Sequence, residues 1–423
     1  MFHRKKYVTL RAIAGGLALS LALAASASAE QIKLRMTIWS ANEAHLKLFN
    51  GIADGFKKEH PDVTVSFEPL PFETYSTALT TQIAGGNAPD MAWIFETAAY
   101  DFVNSGALVP LTKTLAAVPG YNLGEISPAA TERWSRDSVL YAYPFSTSPF
   151  AVFVNNDLIR KAGAKTPAEL IAAGQWTWPN AIATAQAVAQ GGKGGLVVRD
   201  FNYQAWQYLS SVWNGWGAAP WSADGKRCTF ADKPMVDALG FIHDAIFVKK
   251  AIPAPGQNVD FFAGDAAMTI TQISRASLLP KDKRFDWDLV PLPKGPVGDY
   301  AIVGQAGIGV LQSGKNSATA AAFVAYMTNP ENSARLAQFF PSARKSLLNA
   351  EVLAKTNALL SPTQLDKVVV SGIATGKVMP AHTGFARLQQ MARSGLDAVW
   401  QPQADIPAAT RAICGQIGPL LAQ

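Results

Sequence analysis
Hydrophobic positions along the chain change period several times in the first hundred residues. Ile32 to Trp39 reads as a strand, and the spacing Ser40-Ala-Asn-Glu43 that follows has the form of a capping box. Leu46, Phe49, Ala53 and Phe56 then recur at helical spacing, which predicts a helix that stops before Pro61. Val63, Val65 and Phe67 alternate as in a strand. Tyr75, Leu79 and Ile83 mark a second helix ended by Gly85-Gly86, and Met91 to Phe95 is a third short strand. Strand, helix, strand, helix, strand is the signature of an α/β layer with a mainly parallel sheet. Binding sites in such sheets lie past the carboxyl ends of strands, here Trp39 to Glu43 and Phe95 to Thr97.

The stretch Tyr143 to Asn156, YPFSTSPFAVFVNN, has a different character. Phe150, Ala151, Val152, Phe153 and Val154 are strand formers with no polar alternation, which predicts a strand buried on both faces. Pro144, Ser146, Thr147 and Ser148 precede them, so the segment suits a crossing between two lobes with short polar residues facing a cleft. An interior strand of one large domain is the competing reading. Asn156 to Gly163 predicts a helix with Asn at its start and Gly at its end. Gln175-Trp-Thr-Trp-Pro179 reads as a surface-packed corner. Gly191 to Gly195 is a turn without the Lys-Ser/Thr ending of a phosphate loop. In the aromatic-rich run from Tyr203 to Trp221, Trp206 and Trp213 read as core and Trp216 as facing a ligand. Ala318 to Thr328, Phe385 to Trp400 and Ile406 to Leu421 read as helices.

At 423 residues the chain exceeds one ordinary core, and 49% hydrophobic with 16% charged residues describes a globular protein. The formal charge of +6 is concentrated at the start: without Arg4, Lys5, Lys6 and Arg11 it falls to +2, so composition gives no argument for nucleic acid. Those basic residues, the apolar run Ala12 to Ala25 and the small residues Ala27-Ser28-Ala29 form a cleavable secretion signal, which predicts a periplasmic or extracellular mature chain from near Glu30. The apolar run is shorter than the roughly 20 residues of a spanning helix. The five His are scattered at 3, 45, 60, 243 and 382, so they lend no support to a metal site, and no cofactor is expected. Cys228 and Cys414 are the two cysteines; in an oxidising compartment such a pair often forms a disulfide, and two buried free thiols is the other reading.

Several segments, in order, resemble the bacterial extracellular solute-binding proteins of ABC importers, of the maltose-binding type. Leu79-Thr-Thr-Gln-Ile-Ala-Gly-Gly-Asn-Ala-Pro-Asp90 is similar to the family's "L…A.G.APD" segment, and Phe153-Val-Asn-Asn-Asp-Leu-Ile-Arg-Lys-Ala-Gly163 to its "YNKDLFKKAG". Phe262-Ala-Gly-Asp-Ala-Ala-Met268 is similar to "F..GKAAM", with Asp265 in place of Lys. Ala321 to Glu331 and Pro341 to Ser346 fit its late helix and the turn after it. The resemblance implies a two-lobe (type II) periplasmic binding fold, each lobe a mainly parallel sheet flanked by helices, with the ligand cleft between them. It divides the chain into a first lobe of residues 30–145 plus 302–343 and a second of 146–301 plus 344–423. Crossings fall at 145–149, 299–303 and 341–345. It further implies hinge closure, docking on a membrane permease, a monomer, and a Cys228–Cys414 bridge as in some relatives.

Many ligands of that family are carbohydrates, which need flat aromatic faces and planar polar groups. The expected stacking platforms are Trp39, Phe95, Tyr203 and Trp216. The expected hydroxyl partners are Asn42, Glu43, Glu96, Thr147, Asn202, Gln272, Arg275, Gln305 and Arg344. Arg275 and Arg344 keep a phosphorylated polyol open, and Glu43 with Glu96 a polyamine. A secreted glycosidase would use Glu43 and Glu96 as its carboxylate pair, but no other catalytic signature accompanies them, and the expectation is a binding protein rather than an enzyme.

Overall fold
The computed structural model describes residues 31–198, 205–280, 282, 284–342 and 344–422. The opening alternation holds. Strand β1 (Ile32–Ile38) leads to helix α1 (Glu43–Glu59), then β2 (Val63–Pro69), α2 (Tyr75–Ala84), β3 (Met91–Phe95) and the short helix α3 (Ala99–Asn104). The cap of α1 differs from the expected box: the Asn42 side chain accepts from the backbone N–H of Ala44 and His45, so Asn42 itself is the N-cap.

Strand β4 (Ala142–Asn155) is buried along its entire length and runs through both lobes. Helices α4 (Asn156–Lys161) and α5 (Trp178–Gln190) and strand β5 (Gly194–Val198) follow, with Gly163 at φ 69° ending the first of these helices in a conformation that favours glycine. Helix α6 (Lys233–Phe247), β6 (Ala266–Gln272), β7 (Trp287–Val290), β8 (Ile302–Val310), α7 (Ser317–Met327), α8 (Ser371–Thr375), β9 (Lys377–Val378), α9 (Phe385–Leu396) and α10 (Ile406–Leu421) complete the elements used below.

The sheet order is β2-β1-β3-β8-β4-β6-β5, with β7 on β4 and β9 on β8. The sheet is mixed rather than mainly parallel. Parallel pairs lie toward its two ends and between β8 and β9, while β8 and β4 join the halves through antiparallel ladders. The first part of β4, Ala142 to Pro149, pairs with β8, and Phe150 to Asn155 pairs with β6 and β7. One strand thus carries the chain from one half-sheet to the other. Gly307 in β8 is required by its neighbour: a Cβ there would come within 2.7 Å of the Trp134 ring.

Burial follows this division. Leu34, Phe49, Trp93, Phe145, Ile308, Phe323 and Phe340 belong to one core. In the second lobe the odd and even residues of β4 face opposite ways: Phe150, Val152 and Val154 join a core with Trp206, Trp213 and Phe385, while Ala151 and Phe153 join another with Phe261 and Val369. The fold is two lobes, each with its own core, joined through the crossing strand β4. The Trp176–Trp178 corner is not on the surface. Trp178 is fully buried, and its indole N–H donates to the Tyr300 hydroxyl at 2.9 Å, because α5 packs its first turn inward.

Cys228 and Cys414 form a disulfide, joining the middle of the chain to α10 across 186 residues of sequence. A bridge over so long a loop constrains the unfolded chain strongly. Replacing both cysteines by serine should therefore lower stability by about 3 kcal/mol, read from denaturant unfolding. A change under about 0.5 kcal/mol would show that the bridge adds nothing to an already closed core.

His45 sits in the first turn of α1, 6% exposed, with its Nδ1 2.7 Å from the Ser40 hydroxyl and its ring 4.7 Å from both Phe339 and Phe340. Burial pushes its pKa down to about 4. The unfolded chain therefore takes up this proton more readily than the folded one between about pH 6.5 and 4. Stability conferred by the neutral ring is full above that window and is lost as the pH falls through it. The loss attributable to His45 should approach about 3 kcal/mol, and a His45→Phe variant should lack that part of the acid dependence in pH-resolved urea unfolding. An unchanged pH profile in the variant would assign it elsewhere.

Candidate functional site: an inter-lobe cleft
The carboxyl ends of β1 and β3 meet the crossing strands at a cleft with two connected chambers. The inner chamber, about 80 Å³, is walled by Trp39, Phe95, Glu96, Gln272, Arg275 and Gln305, all six expected from sequence. The Trp39 and Phe95 rings are stacked, with centroids 4.1 Å apart and planes 11° apart, and Tyr75 and Trp93 meet Trp39 edge-on. Tyr75 is held in turn by donating its hydroxyl to the Thr37 and Trp93 carbonyls at 3.0 and 2.8 Å. Glu96 is only 4% exposed. It lies within electrostatic reach of Arg133, whose guanidinium is pushed below its usual pKa by burial and raised in part by Glu96. Gln305 is 3% exposed, and its Oε1 has no hydrogen-bond partner among the described residues. Arg275 lies 5.5 Å from the centre of the Phe262 ring.

The outer chamber, about 340 Å³, shares Phe72, Phe95, Glu96 and Tyr208 with the inner one and is closed on the second lobe by α9, through Gln389, Gln390 and Arg393. Nothing in the sequence pattern marked this wall, because the polar face of α9 reads like any solvated helix face. Phe145, Ser146 and Ser148 also line the inner chamber, within the crossing stretch singled out from sequence.

Other expected residues have different tasks. Thr147, between Ser146 and Ser148, does not line either chamber. Its backbone N–H donates to Pro341 O at 2.8 Å, and its side chain falls out of the cleft-facing alternation. Asn42 caps α1, and Glu43 is exposed in the first turn of that helix, outside both chambers. Trp216 packs on Phe241 and Trp178 at 4.7 and 6.3 Å between centroids, against the second-lobe core. Arg344 is 1% exposed. It donates to the carbonyls of Tyr121, Asn122 and Thr328 and lies over the Tyr121 ring at 4.6 Å, as a buried tie for the third crossing. Asn202 and Tyr203 lie outside the described residues.

The model of the bacterial extracellular solute-binding proteins matches residues 41–334, most of the chain. The chain belongs to this family. Among curated relatives, a binding protein of Brucella abortus (strain 2308) is 26% identical over 304 residues, covering 68% of each chain. The sn-glycerol-3-phosphate-binding periplasmic protein of Pectobacterium atrosepticum is 26% identical over 362 residues, covering 78% of this chain and 76% of its own. Among solved structures, an ABC substrate-binding protein from Listeria monocytogenes in complex with cycloalternan superposes with a TM-score of 0.79 at 22% identity, covering 92% of this chain and 99% of that one. A solute-binding protein of this fold takes a small molecule between its lobes.

Proposed function
We propose that this protein is the periplasmic component of an ABC importer that captures a carbohydrate between its lobes, by closure, and passes it to the membrane permease. The observation that carries this reading is the inner chamber. A stacked aromatic pair stands beside a buried carboxylate, two amides and a guanidinium, the set that a sugar ring needs for its C–H faces and its hydroxyls. The secretion signal read from residues 1–29 supports delivery to the periplasm. The proposed lobe division remains 30–145 plus 302–343 against 146–301 plus 344–423. The glycosidase reading loses support, since Glu43 does not line the cleft with Glu96 and, among the described residues, no second carboxylate stands in either chamber.

One observation favours a second ligand class. Among the described residues Arg275 and Arg393 give the chambers one guanidinium each, and relatives named for sn-glycerol-3-phosphate binding match most of the chain. Against a phosphate ester stands Glu96, which borders both chambers. Thermal shift and titration calorimetry of the mature protein should separate the two. A neutral mono- or oligosaccharide at a thousandfold excess over Kd raises stability by about 4 kcal/mol, with little dependence on salt. Response to sn-glycerol-3-phosphate or its esters alone, weakening as salt rises, would replace the sugar by a phosphorylated polyol.

A further inference from the structure
Helix α9 forms the second-lobe wall of the outer chamber, yet its own N-terminus carries no cap. Its N-cap position is Gly384, at φ 69°, with no side-chain hydrogen bond to the first turn. The first backbone N–H groups of a helix have no partner within it and carry the positive end of its dipole. Here a partner arrives from the other lobe. Asp101, on α3 of the first lobe, accepts from the Gly384 backbone N–H through Oδ1 at 2.8 Å, 283 positions away in sequence. A second contact crosses close by, where the Arg133 guanidinium donates to the Met379 carbonyl at 3.3 Å.

The cores assign these residues to opposite lobes. Ala99 and Val103 flank Asp101 on the buried side of α3, and Ala99 and Trp134 belong to the first-lobe core. Met379 and Phe385 bracket the second-lobe segment and are buried in its core. Separation of the lobes would remove the carboxylate from α9 and leave that helix end to water, and closure supplies the cap again. We propose that Asp101 is a closure latch: it sets ligand affinity without touching ligand, by capping α9 in the closed conformation, with Arg133 as the second tie. This rests on the reading of capture by lobe closure. Apparent affinity scales with the population of the binding-competent state, so a latch present in the closed form alone tightens binding, chiefly by slowing release.

The test uses the mature protein with Asp101→Ala, Asp101→Asn and Asp101→Lys, titrated with maltotriose and followed by stopped flow. Loss of a helix cap predicts about a tenfold rise in Kd for Asp101→Ala, mostly in the off-rate, with the melting temperature of the ligand-free protein unchanged. Asparagine keeps an acceptor and restores most of the affinity. Lysine sets a cation at the positive helix end and loses more than alanine, and the charge-dependent part shrinks in high salt. An unchanged Kd with a lowered ligand-free melting temperature would make Asp101 a buttress of its own lobe and overturn the latch. If maltotriose binds neither wild type nor variants, the ligand assignment fails and the latch is judged separately, by single-molecule energy transfer between dyes on the exposed positions Lys47 and Lys233. The ligand-free protein should then show a smaller closed population in Asp101→Ala, and identical distributions would overturn the latch whatever the ligand is.

Discussion
Glu96→Gln should weaken binding of a neutral sugar by about 10- to 50-fold and strengthen binding of a phosphate ester. The carboxylate is nearly buried, borders both chambers and faces the positive field of Arg133. Hydrogen bonds from sugar hydroxyls to an ionised acceptor contribute about 1.5–3 kcal/mol, roughly twice a neutral one, and an amide recovers part of that. For an anionic ligand the sign reverses, because the substitution removes a like charge from a poorly solvated site that Arg275 and Arg393 also line. Titration calorimetry of wild type and variant with a sugar and with sn-glycerol-3-phosphate reads both effects in one experiment. Sugar affinity that does not change would remove Glu96 from the ligand's contacts and with it the main polar anchor proposed for the cleft.

Arg344→Ala should cost about 4 kcal/mol of stability and leave the sugar affinity of the folded variant within about threefold of wild type. The side chain is fully buried, and it donates to three main-chain carbonyls from two separate segments. Truncation takes the Arg344 donor from the buried Tyr121 carbonyl, while the Asn122 and Thr328 carbonyls keep bonds from the Glu125 N–H and the Ser333 hydroxyl, and it opens a cavity under Tyr121; a lost buried hydrogen bond and a cavity are each an established source of large losses. Denaturant unfolding with parallel calorimetry checks both halves. A loss of binding with less than about 1 kcal/mol of destabilisation would return Arg344 to the cleft and revive its role with a phosphorylated ligand.

These two residues show how legible the candidate cleft was. Glu96 and its neighbours Trp39 and Phe95 were visible because Trp39 and Glu96 directly follow β1 and β3 and Phe95 ends β3, strands whose hydrophobic runs are unambiguous, and α/β sheets place ligands past strand ends. Gln272, Arg275 and Gln305 were visible through family-like segments in or just after β6 and β8. Arg344 came from the same kind of segment, but what an arginine does depends on which carbonyls surround it. Those belong to Tyr121, Asn122 and Thr328, which no local pattern brings to position 344. Thr147 failed by one residue, since in a strand the neighbours of a cleft-facing serine turn away from the cleft. Trp216 failed because a tryptophan in a loop packs as readily against a core helix as against a ligand.

By itself, the sequence determined what local periodicity and chain order can encode: the alternating strands and helices of the first lobe, the two-sided burial of Phe150 to Val154, the closing helices, and the two-lobe family fold. Those properties depend on neighbours a few residues apart, whose spacing sets which face is buried. Tertiary structure decided the mixed pairing of the sheet, the α9 wall of the cleft, the burial of Arg344 and the cap that Asp101 lends to Gly384. Each of these joins groups tens to hundreds of residues apart, and their energies arise only when closure of the chain removes water and leaves a polar group one available partner.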